Sequence, residues 1–159
     1  MSNKEKMLLS SLLIDDVICG YQSLGENPSD YEVRNFIRCL AAGIEGLIAQ
    51  LKNNITNHTQ SIPNITIHER AALEEEIYFV DSSGAVKPQT KYIPITLKAK
   101  LIAKILHRFE QDFEIEFSGH GWESFKIFGP IRNRLVHPKT VTDLNISKED
   151  LVHCQKAFW

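Results

Sequence analysis

The 159-residue chain is the size of one domain, and its 43% hydrophobic and 24% charged residues are globular proportions that exclude intrinsic disorder. Eighteen Lys and Arg against twenty Asp and Glu leave a formal charge of −2, which excludes a uniformly basic coat for nucleic acid but not a local basic site. No segment approaches the roughly 20 apolar residues of a membrane helix.

Lys4 to Tyr21 reads as a first helix, with Leu8, Leu9, Leu12, Leu13, Ile14, Val17 and Ile18 on a broad apolar arc and Gly20 or Gly25 as its stop. Asp15 and Asp16 cut that arc before any cleavage site, so it is no secretory signal. Cys19, Cys39 and Cys154 form no C-x-x-C pair, which fits reduced thiols in a cytoplasmic protein. N-x-S/T triplets beginning at Asn54, Asn57, Asn64 and Asn145 then mark polar loops and nothing more. Pro28-Ser29-Asp30 opens a second helix, over 30–53, in which Val33, Ile37, Leu40, Ile44, Leu47 and Leu51 repeat as an a/d seam. Gly43 and Gly46 inside it imply close approach by another helix.

A polar loop at 53–64 leads to a third helix, Thr66 to Ile77, opened by a Thr66/Glu69 capping box. Ile77 to Val80 and Lys91 to Ile95 then read as two strands joined by a turn at Asp81-Ser82-Ser83-Gly84, a hairpin inserted over about 77–95. Thr96 to Phe113 is a fourth helix, with Leu97, Leu101, Ile105, Phe109 and Phe113 spaced by four. A fifth, Trp122 to Val136, is interrupted or restarted at Gly129-Pro130. The last, Ser147 to Trp159, begins with a Ser-x-x-acid cap and ends on Phe158-Trp159, which either docks on the bundle or continues into further chain. The pattern predicts an all-α helical bundle with a small β-hairpin insertion, as a single domain over 1–159.

Phosphate-loop, dinucleotide, zinc-protease and serine-hydrolase signatures are all missing from the sequence. The histidines lack metal-ligand spacing, so a zinc site from His120, His137 and Cys154 is disfavoured, and no metal or cofactor is expected. Glu74-Glu75-Glu76 reads as a solvated helix face. The segment Gly129 to Lys139 stands apart. At about 100° per residue, Arg132 falls on the apolar arc of Phe125, Phe128, Ile131, Leu135 and Val136. A core-facing guanidinium cannot discharge, so it needs a carboxylate, a phosphate or a solvated cleft. Pro138 disfavours helical backbone at His137, placing that imidazole where the helix ends. Between 121 and 139, Lys126, Arg132, Arg134 and Lys139 face Glu123 alone, a local excess of positive charge suited to phosphate. The same residue types also serve as ordinary helix C-terminal caps.

Arg132, its polar neighbour Asn133, and His137 after four intervening residues, late in a mostly helical domain, resemble the signature of the HEPN family (higher eukaryotes and prokaryotes nucleotide-binding domains). The resemblance implies a metal-independent endoribonuclease of toxin–antitoxin or antiviral-defence type, acting on RNA as a homodimer whose two motif copies face one cleft. His137 would be general acid/base, Arg132 would stabilise charge on the phosphoryl oxygens, and Asn133 would orient His137 or bind phosphate. Arg134 and Lys139 would steer substrate. The competing reading is a non-catalytic helical interaction module, or a binder of phosphate-bearing ligands, partnered by an antitoxin or another protein.

Overall fold

The computed structural model describes residues 3–57, 65–110 and 112–159. Among these, the elements run α1 (Asn3–Gln22), α2 (Asp30–Asn57), α3 (Ile67–Leu73), β1 (Glu76–Val80), β2 (Val86–Thr90), α4 (Ile95–His107), α5 (His120–Val136), a 3-10 turn (Val141–Leu144) and α6 (Lys148–Phe158). The chain is therefore mostly helical with one small antiparallel hairpin. None of these helices is long and apolar enough to cross a membrane. The chain divides into two compact units, Met1–Gln50 with Glu116–Trp159, and Leu51–Ile115.

In the first unit, α2 supplies the deepest residues. Phe36, Ile37 and Leu40 are shut off from solvent, as are Val17 of α1, Phe128 and Leu135 of α5, and Cys154 of α6. The heptad seam is buried from Val33 to Ile44; Leu47 is half-buried and Leu51 is exposed. The glycines act as the sequence implies. A Cβ on Gly43 would lie 2.8 Å from Val17 Cγ2, and one on Gly46 would overlap Leu13 Cδ1, so α1 lies against α2 along a notch that only hydrogen atoms fit. α5 packs on α6, and the C-terminal rings dock: Trp159 sits edge-on to Tyr21 at 6.1 Å and to Phe158 at 5.0 Å.

Leu73 of α3, Ile102, Ala103 and Ile105 of α4, and Ile55 at the end of α2 are the buried residues of the second unit. α3 starts on the expected box, in which Glu69 N–H donates to Thr66 Oγ1 at 3.1 Å and Thr66 N–H to Glu69 Oε2 at 3.0 Å. It ends four residues sooner than the sequence suggests, because Glu75 adopts a left-handed backbone (φ 59°). That costly conformation is held by three contacts. The Glu75 carbonyl accepts Lys91 N–H at 2.7 Å, while its Oε1 accepts Ile93 N–H at 2.9 Å and pairs with Lys98 at 3.1 Å.

Four further expectations are corrected. α2 runs on to Asn57, so the triplets at Asn54 and Asn57 begin in helix, and the remainder of the expected loop, 58–64, lies outside the described residues. The second strand is Val86–Thr90, not 91–95. Asp81 Oδ1 gathers the N–H groups of Ser83 and Ala85, and Gly84 turns at φ 83°, so the chain reverses at once and strand pairing begins at Val86. α4 stops at His107, where Arg108 and Phe109 donate to Ile105 and Leu106 in a tightened last turn, although the apolar spacing continues to Phe113. α5 passes through Pro130 unbroken. Gly129 offers no Cβ to meet the proline ring, and Lys126, whose carbonyl loses its donor, is at the exposed surface where water substitutes.

Candidate functional site

α5 carries the site. Its buried stripe of Phe125, Phe128, Ile131 and Leu135 anchors it, and ring contacts from Phe117 to Trp122 (4.7 Å) and Trp122 to Phe125 (5.3 Å) extend the stripe toward the helix start. This anchoring presents the helix C-terminus with Arg132, Asn133 and His137 on it.

The Arg132 side chain is three-quarters buried, and its guanidinium meets a carboxylate: Nη2 lies 2.5 Å from Glu45 Oε1 of α2. Its Nη1 donates to Asn133 Oδ1 at 3.0 Å. Asn133 in turn accepts the His137 N–H on its backbone carbonyl at 2.9 Å. Asn133 thus joins the arginine through its side chain and the histidine through its backbone. His137 is the residue at which α5 ends, with φ −126° and ψ 58°, outside the helical region that Pro138 disfavours. Its imidazole is exposed and makes no hydrogen bond among the described residues.

The two steering cations differ. Arg134 lies 2.5 Å from Asp150 Oδ2 of α6, so it fastens helix to helix. Burial works to raise the Asp150 carboxyl, but hydrogen bonds from the Ser147 backbone and Arg134 outweigh it and hold the group below the usual carboxylate range. Lys139 is exposed beyond the helix, and its N–H donates to Asp143 Oδ2 at 2.7 Å. The positive excess counted along the sequence is largely offset in space, because Lys126 pairs with Glu123 at 2.6 Å while Glu45 and Asp150 answer Arg132 and Arg134.

Glu45 is the functional neighbour that sequence reasoning passes over. Its signal is present: it is the one carboxylate in the helical stretch from Val33 to Asn57, set between Gly43-Ile44 and Gly46-Leu47. A second cluster was also missed. Ser124 Oγ lies 3.2 Å from His153 Nδ1, whose Nε2 is 3.9 Å from Glu149 Oε1. The order imitates a nucleophile–base–acid set, yet Ser124 is only 3% exposed, so its oxygen reaches no substrate and His153 serves to satisfy it. Cys154 is fully buried, with its thiol pushed up to about 12 by burial first and by Asp150 second, and stays protonated and inert. Among the described residues no group of three His, Cys, Asp or Glu side chains could hold a metal ion.

Grooves open elsewhere in each unit. One of about 790 Å³ is lined by Tyr21, Gly25, Pro28, Val33, Ser147 and Leu151 in the first. Another of about 750 Å³, in the second, is bordered by Ala71, Ile77, Tyr78, Tyr92, Leu97 and Leu101. Neither contains Arg132, Asn133 or His137, so the candidate site at the end of α5 lies outside both grooves. Comparisons with protein-family models, with curated proteins and with solved structures give no significant match.

Proposed function

We propose that the chain is a HEPN-like, metal-independent endoribonuclease of a cytoplasmic toxin–antitoxin or antiviral-defence system, working as a homodimer. The observation that carries the reading is the Arg132–Asn133 hydrogen bond in the last turns of α5, with His137 at the helix end and its imidazole exposed and, among the described residues, making no hydrogen bond. His137 exchanges a proton with the ribose 2′-hydroxyl or the leaving 5′-oxygen, and a second copy supplies the complementary acid or base. Arg132 stabilises charge on the phosphoryl oxygens, while Asn133 fixes the backbone from which His137 leaves the helix. Lys139 draws the RNA in, and Arg134, tied to Asp150, contributes mainly by its position. Since the nucleophile is internal to RNA, the product is a 2′,3′-cyclic phosphate.

One observation favours the alternative of a non-catalytic helical module: the Arg132 guanidinium is already engaged by Glu45. Incubating the protein with generic RNA in EDTA separates the two. Cleavage that His137→Ala lowers by about 10²–10⁴-fold supports the nuclease. RNA left intact by folded wild-type protein favours the module.

A further inference from the structure

The two outer edges of the hairpin are chemically unlike. Lys91 N–H donates to the Glu75 carbonyl and Asp81 N–H to the Ala85 carbonyl, at the two ends of a register that pairs Glu76 with Thr90 and Val80 with Val86. Hydrogen-bonded and non-hydrogen-bonded pairs alternate along an antiparallel ladder, so Ile77 and Phe79 bond inward to β2. Glu76, Tyr78 and Val80 therefore aim their N–H and C=O groups away from β2. On β2 the outward residues are Val86, Pro88 and Thr90, and Pro88 has no N–H to offer. A proline at that position closes an edge to strand pairing without cost to the hairpin's own ladder. The β1 edge has no such guard, and among the described residues no third strand pairs with it.

β1 is also apolar on both faces. Tyr78 is 58% exposed and Val80 67%, with Ile77 and Phe79 exposed on the opposite face. A two-stranded sheet is marginal in water, and a run of four apolar residues on an open edge invites pairing.

We propose that β1 pairs antiparallel with β1 of a second copy of this chain, about a two-fold axis at Tyr78, to give a four-stranded sheet in the order β2–β1–β1–β2. The sequence of β1 fits itself in this register. Tyr78 meets Tyr78, Glu76 meets Val80 and Ile77 meets Phe79, so every outward N–H of β1 finds a carbonyl. Aromatic and β-branched side chains stand opposite one another, and no two carboxylates are opposed. The register also brings the copy's Val80 level with the start of β1, beside which the apolar groove of Ala71, Tyr78 and Leu97 lies. Pro88 then sits on both outer edges of the new sheet, so pairing stops at two copies and does not run on into a fibre. The pairing belongs to the second unit and is argued from the strand edge alone, not from the nuclease reading.

Light scattering of the full chain at micromolar concentration tests this, with a mass of two chains expected. Tyr78→Pro removes an outward backbone donor, and with it the ring that bonds Glu76 Oε2, while leaving the hairpin's own ladder its donors; it should weaken the dimer by about 100-fold or more, as should Tyr78→Lys, which opposes two like charges on the axis. Thr90→Pro, on the edge already guarded, should leave the dimer unchanged. Far-UV circular dichroism identifies which variants are folded, and Tyr78→Lys serves if the proline variant is not. A monomeric wild type, a ladder of larger species, or folded Tyr78 variants that dimerise like the wild type would each overturn the proposal.

Discussion

A glycine within a helix weakens it unless a neighbour uses the space that its side chain leaves empty. Gly43 and Gly46 of α2 are used in this way, but by unlike neighbours. Val17 is completely buried and branched at Cβ, so it has no rotamer into which to retreat from a methyl group on Gly43. Leu13 is half-buried, and the atom it presents to Gly46 is the far end of a flexible side chain. Alanine gains about 1 kcal/mol of helix propensity at either site, against an overpacking cost of about 1–3 kcal/mol where the neighbour is fixed. Gly43→Ala should therefore destabilise the protein by up to about 2 kcal/mol net, and Gly46→Ala should be nearly neutral. Urea midpoints at unchanged slope measure both; equal midpoints would show that α1 yields as readily at Val17 as at Leu13. Arg132 marks the reach of such local reasoning. Its place on a buried arc is legible from helical periodicity, as is its need for an anion, but the anion belongs to a distant helix, and the isolation of Glu45 along α2 marks that carboxylate without naming its partner. His137 is legible for the opposite reason, since Pro138 acts on it through the adjoining bond.

Elements whose signals are local and polar are legible in the sequence, and those decided by a turn are not. The Thr66 and Ser147 capping boxes form because each is closed within a single helical turn. β2 is different: Val86-Lys87-Pro88-Gln89-Thr90 has little strand character, and Tyr92-Ile93 has more, yet the tight Asp81–Ala85 reversal sets the register and overrides propensity. Glu75 then secures both the entry and the exit of the hairpin. Replacing it with Ala keeps the unfavourable left-handed backbone while losing the Ile93 and Lys98 contacts, so Glu75→Ala should cost about 1–3 kcal/mol. Glu75→Gly relieves the backbone but not the lost contacts and should fall between the two. Hydrogen exchange should quicken at Ile93 and Lys91 in both variants while α5 keeps its protection, which separates local release of the hairpin from general loosening. An unchanged Ile93 amide in folded Glu75→Ala would show that the carboxylate does not hold it.

Across the whole molecule, carboxylates are the groups most consistently held in their charged form. Hydrogen bonds from Ile93 keep Glu75 below the usual range, those from Thr66 keep Glu69 low, and those from Lys139 and Thr140 do the same for Asp143. Asp150 is low despite burial, through Ser147 and Arg134. A carboxyl with a lower pKa folded than unfolded binds protons less readily in the native state. Its stabilisation is therefore complete above the unfolded value of about 4 and is lost as pH falls through the folded one. These four groups act in the same direction and lie in both units, so the melting temperature should be flat from about pH 8 to pH 5 and drop steadily below about pH 4. Asp150→Asn isolates one contribution. It leaves Arg134, whose buried Nε has no partner among the described residues, facing a neutral amide, and should cost about 1–2 kcal/mol at neutral pH, less than the roughly 3–5 kcal/mol of a fully buried pair because the Arg134 side chain remains a third exposed. In acid the difference from wild type should shrink, since protonation removes the same charge from Asp150 that the substitution removes. Thermal melts of the two proteins from pH 8 to pH 3 would show converging curves, and curves that stay parallel to the acid end would mean that the Asp150 charge contributes nothing to holding α5 on α6.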